Sequence, residues 1–70
     1  MKVYSTYEML KEIIRNPDKE FVNVYNHEIS VGVTSSGEIM RTVTNKCGSV
    51  GSNIRLTERF LSQSWVEKED

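Results

Sequence analysis

The chain is short of everything that usually holds a small domain together. One Cys cannot close an internal disulfide, and one Cys with one His cannot complete a four-ligand zinc site. Apolar runs are short: the longest are pairs such as Ile13–Ile14, which leaves no segment able to span a membrane. No charged-then-apolar leader follows Met1, so the expectation is a cytosolic chain. A basic excess is missing too, since 9 Lys and Arg face 10 Asp and Glu for a net charge of −1. Phosphate-driven nucleic-acid binding draws on such an excess, so a dedicated DNA or RNA binder is not expected. With 70 residues there is room for one domain. A domain of that size buries only about 60% of the surface of its unfolded chain. Tight packing or self-association must supply what staples do not.

What is present divides by period. Ser5-Thr6-Tyr7-Glu8 reads as a capping box, with Leu10, Ile13 and Ile14, and Tyr7 or Met9, spaced as one apolar helical stripe. Pro17 stops that helix near Asn16. Glu20–Tyr25 is β-branched and aromatic; Ile29, Val31 and Val33 alternate with small or polar residues; Glu38–Thr44 alternates again. Asn26-His27 and Ser35-Ser36-Gly37 supply turns, so three strands in an antiparallel meander are predicted. Asn45–Asn53, small and polar, reads as a long loop. Thr57 caps a helical turn over 57–61, and Ser64–Glu67 forms a last short strand that takes Trp65 into the core. The predicted class is α+β: one N-terminal helix on an antiparallel sheet of three to four strands, with a short second helix.

Two stretches carry a resemblance. Tyr4-Ser5-Thr6-Tyr7-Glu8-Met9-Leu10-Lys11-Glu12-Ile13, with Asn16-Pro17 and Lys19-Glu20-Phe21, resembles the start of small accessory proteins encoded by phages of Bacillus-type hosts. Leu61–Glu67, with its lone Trp, resembles their ends. The resemblance implies a phage product in a bacterial cytoplasm that binds and disables a host component. More remotely, the helix-first, Trp-last layout is similar to phage proteins that sequester nucleotide-derived immune signals. This chain is shorter and lacks their early tryptophan, and no functional residue carries over from either group.

Catalytic constellations are thin. Nucleophile–base chemistry needs converging groups, whereas His27 falls in a turn and Cys47 in the Gly/Ser stretch with nothing to bring them together. Gly48-Ser49-Val50-Gly51 lacks the length and the Lys of a phosphate-binding P-loop. The reading is therefore a non-enzymatic binder with no cofactor and no metal.

Charge placement says more than the total. Residues 39–66 hold Arg41, Lys46, Arg55 and Arg59 against Glu58 alone, between acidic flanks. Arginine forks and small-residue backbone suit anions. The candidate ligand site is thus Arg41, Lys46, Arg55 and Arg59 with Gly48, Ser49, Gly51 and Ser52, and its ligand a small anionic, nucleotide-like molecule. The strand Glu20–Tyr25 is apolar on two faces, Phe21/Asn23/Tyr25 and Val22/Val24, and one face must find a partner. Val22, Val24, Tyr25, Tyr4 and Trp65 are accordingly the candidate interface, for a homodimer or higher homo-oligomer or for a host protein. Stoichiometric inhibition of a host protein is the leading expectation, ligand sequestration the second, and weak nucleic-acid binding by aligned positive segments the third.

Overall fold

A computed structural model describes residues 2–69. Its elements run β1 (Tyr4–Ser5), α1 (Thr6–Arg15), β2 (Phe21–Asn23), β3 (Ile29–Val33), β4 (Ile39–Asn45), β5 (Gly48–Asn53), α2 (Glu58–Leu61) and β6 (Ser64–Glu67). The α+β class holds. The sheet is antiparallel, with six strands rather than three or four, in the order β1-β6-β2-β3-β4-β5.

Helix α1 forms where its ends are written. Ser5 Oγ accepts from the Glu8 N–H (3.2 Å), and Glu8 Oε1 accepts from the Ser5 N–H (3.1 Å), closing the capping box. At the other end the Asn16 N–H reaches the Glu12 carbonyl before Pro17. The buried stripe differs from the one expected. Thr6, Met9 and Ile13 face the sheet, Leu10 flanks them, and Tyr7 and Ile14 point outward. A 100° step per residue allows both Ile13 and Ile14 on one stripe only at its rim, and contact with the sheet chose the side of Met9.

Met9 and Ile13 meet Phe21, Val31 and Trp65 in a five-residue core, flanked by Tyr4, Leu10, Ile29, Val33, Ile39, Ile54 and Phe60. Two edge-to-face aromatic pairs order it: Tyr4 on Phe21 (centroids 5.0 Å) and Phe60 on Trp65 (5.7 Å). Strand β6 lies between β1 and β2, so Trp65 sits opposite both Tyr4 and Asn23. A half-exposed ion pair from Lys19 to Glu12 (3.3 Å) and Glu67 (3.4 Å) links α1 to β6. Those carboxylates, Glu12 first, hold the Lys19 pKa above its ordinary value.

The stretch Asn45–Asn53 is not a loop. Gly48–Asn53 pairs with Met40–Asn45 residue for residue, turning at Lys46-Cys47. Asn45 Oδ1 accepts from the Cys47 N–H (2.8 Å), and Gly48 adopts φ +128°, which a side chain would resist. Strand pairing with β4 overrides the poor strand propensity of Gly and Ser. Asn26-His27 is not a two-residue hairpin either: β2 ends at Asn23, and Val24–Glu28 makes a longer connection.

Candidate functional site

Strand alternation puts Arg41 on the same face of the sheet as Phe21 and Val31, its neighbours across the ladder. Helix α1 covers that face over the β1–β6–β2 side. Beyond it, α2 and the segment leading into it stand over the sheet and leave a cleft of about 700 Å³. Asn23, Ile29 and Arg41 of the sheet line it. Tyr25 and Asn26 close one side, Arg55, Thr57, Arg59 and Phe60 the other, and Gln63 and Trp65 complete the floor.

Three of the four cations singled out in the sequence converge there. Arg41 is half-buried on β4, while Arg55 and Arg59 are exposed on the opposite wall. Among the described residues no carboxylate lines the cleft, and none of the three guanidinium groups is in an ion pair. Their positive field is therefore uncompensated locally. Lys46 is elsewhere, exposed at the β4–β5 turn. Gly48, Ser49, Gly51 and Ser52 are engaged as strand β5, and none of them lines the cleft. The anion loop expected from composition is thus replaced by an arginine-walled cleft, because those glycines and serines are held in a ladder.

The walls are held by a polar network rather than by packing alone. Asn23, buried, accepts on Oδ1 from the N–H groups of Tyr25 (2.8 Å) and Asn26 (3.0 Å), fixing the β2–β3 connection. Its Nδ2 donates to Gln63 Oε1 (2.9 Å), and Gln63 Nε2 donates to the Arg59 carbonyl (3.3 Å). Thr6, also buried, donates its hydroxyl to the Phe60 carbonyl (2.7 Å), with the Gln63 carbonyl 3.3 Å away, and accepts from the Trp65 indole N–H (2.9 Å). Elements from both ends of the chain thereby set the same cleft. Every buried side-chain polar atom among the described residues has a partner. Thr57 caps α2 by accepting from the Phe60 N–H (3.1 Å), which orients Arg59 and Phe60 together.

The candidate interface separates into inside and outside. Trp65, 1% exposed, is core, and its indole lies on the floor of the cleft. Tyr4 is half-buried between Phe21 and the Lys2 ammonium, 4.8 Å from its ring. Neither offers a free docking ring. Val22 and Val24 are half-buried, with Val22 on the face opposite Phe21, and Tyr25 is 77% exposed at the mouth of the cleft. Asn23, Asn26, Phe60 and Gln63 escaped the sequence reading. Their signal is weak, since single amides carry no spacing pattern, although the Thr57 cap already placed Phe60 beside Arg59 on one short helix. His27 borders a smaller depression on the other side of the sheet with Glu28 and Ser30, away from Cys47 at the β4–β5 turn.

No family model, curated protein or solved structure matches the chain.

Proposed function

We propose that the chain binds a small anionic, nucleotide-like ligand in the cleft between α2 and the sheet, stoichiometrically and without turnover. The convergence of Arg41, Arg55 and Arg59, unpaired among the described residues, on a cleft that also presents Tyr25 and Phe60 carries this reading. Guanidinium forks match phosphate oxygens bidentately, and an aromatic wall offers a base a face to stack on. The two residues a nucleophilic mechanism would draw on, His27 and Cys47, do not line the cleft, in keeping with a binder rather than a catalyst.

Thermal shift with nucleoside mono- and diphosphates, nucleosides and inorganic phosphate tests the reading. A ligand at 100 times its Kd adds about 2.7 kcal/mol of stability, so a nucleotide should raise Tm well above either fragment. Removing one guanidinium, in Arg41→Ala or Arg59→Ala, should weaken that ligand by about ten- to hundredfold, the worth of a hydrogen bond to a charged group. A panel without any shift overturns it.

A second reading, a phage-type accessory protein that inhibits a host protein, is favoured by one observation. Tyr7 and Ile14, two turns apart on α1, are 73% and 68% exposed. Such a stripe suits an apolar groove on a partner. A bacterial-lysate pull-down that loses a stoichiometric partner on Ile14→Ser, beside a flat nucleotide panel, would prefer this reading. Salt-sensitive retention on DNA would instead favour the nucleic-acid reading.

A further inference from the structure

The sheet ends on β5, whose six residues are all exposed. The direction of its backbone groups follows from the hydrogen bonds further in. Thr44 donates its N–H to the Glu28 carbonyl and Thr34 to the Glu38 carbonyl, both at 2.8 Å. With the β3–β4 register, this turns the even-numbered residues of β4 toward β3. Arg41, Val43 and Asn45 then turn toward β5, where Ser52, Val50 and Gly48 stand opposite. The N–H and C=O groups of Ser49, Gly51 and Asn53 consequently point away from the sheet.

Exposed edges are normally guarded by charge, proline or a bulge. Strand β5 contains no charged residue and no proline, and it pairs with β4 without a skipped residue. Its single large side chain, Val50, is 72% exposed. The opposite edge, β1, is only two residues long.

We propose that β5 is a dimer interface, on which the same strand of a second copy pairs antiparallel about a two-fold axis through Val50. In that register Val50 meets its own twin as a non-hydrogen-bonded pair, the geometry that brings opposed side chains closest. Ser49 and Gly51 meet each other on both sides of the axis, and their outward N–H and C=O groups make four new hydrogen bonds. The row Ile29–Val43–Val50, continuous across β3, β4 and β5, runs on into its symmetry mate. The edge segment itself, Gly48–Asn53, carries no charged residue, so no like charges face each other along the paired strands. A second copy is the occupant because the valine lies on the axis and the flanking residues complement themselves, as an isologous contact requires. The interface is separate from the cleft and does not depend on it.

Sedimentation of the full chain and of Val50→Lys, with amide exchange at two concentrations, tests the proposal. The wild-type chain should sediment at twice its 8.1 kDa at micromolar concentration. Val50→Lys sets two ammonium groups face to face and should sediment as the single chain with an unchanged circular dichroism spectrum. In the wild type, the Ser49 and Gly51 amides should slow as concentration rises, while Val50 and Ser52, already bonded to β4, stay constant. A wild-type chain that remains monomeric, a folded Val50→Lys that keeps the dimer mass, or Ser49 and Gly51 amides indifferent to concentration would each overturn it.

Discussion

The two ends of the sheet are built on different terms. On the β1–β6–β2 side, helix α1 seals the face, and Met9, Ile13, Phe21, Val31 and Trp65 are almost wholly buried. The β4–β5 side lies beyond the cover of α1, and β5 is exposed throughout. The first region uses hydrophobic burial, which is non-directional and needs large side chains. The second is held by register and backbone hydrogen bonds, and small residues suffice. A small domain without staples thus concentrates its stability in one half, leaving the other half free to present surfaces.

Trp65→Ala and Val50→Ala should show the contrast at its widest. The first removes the largest core side chain and should cost about 3–5 kcal/mol, a large share of the 5–15 kcal/mol typical of a domain. The second should stay within about 0.5 kcal/mol in the monomer, as exposed sites do. Chemical denaturation at dilute concentration measures both, and equal effects would erase the distinction. A smaller effect sits at the boundary between the regions. Thr6→Val keeps the shape but removes the partner of the Trp65 indole and the donor to the Phe60 carbonyl, at about 1–3 kcal/mol. Because that bond also anchors α2, the variant should weaken ligand binding in the cleft as well, which titration would register.

The smallest effect belongs to the start of α1. The Ser5 backbone N–H, then its hydroxyl, hold the Glu8 carboxyl below its ordinary pKa. A depressed carboxyl stabilises the fold above its unfolded pKa, and that contribution fades as pH falls through the folded value. Glu8→Gln retains an acceptor but no titration, so its Tm should decline less steeply with acid than the wild type's. Parallel acid limbs would remove Glu8 from the account.

The same division governs what could be read in advance. Helix α1, the Thr57 cap and strand Ser64–Glu67 were legible because each announces itself by a cap, a proline or a large residue. Strand β5 was not, since its residues have little strand preference and are ordered by β4 alone. One local signal existed: Asn45 and Gly48, three apart, suit the first and last positions of a type I turn. The arginine cleft was half legible. The charge excess in 39–66 marked the right segment, but only the fold separates Lys46 from Arg41, Arg55 and Arg59. The amide network of Asn23 and Gln63 depends on contacts forty residues apart and left no trace in spacing.

The placing of β6 between β1 and β2 has a consequence for biosynthesis. The strand that carries Trp65 is the last in the element order, yet it occupies an inner position, and Thr6 waits for a partner 59 residues downstream. On the ribosome the β3–β4–β5 meander can form as it emerges, whereas the core must stay open until residue 67 has left the exit tunnel. Helix α1 therefore finds its permanent seat only after the meander that separates it from β6 has been made.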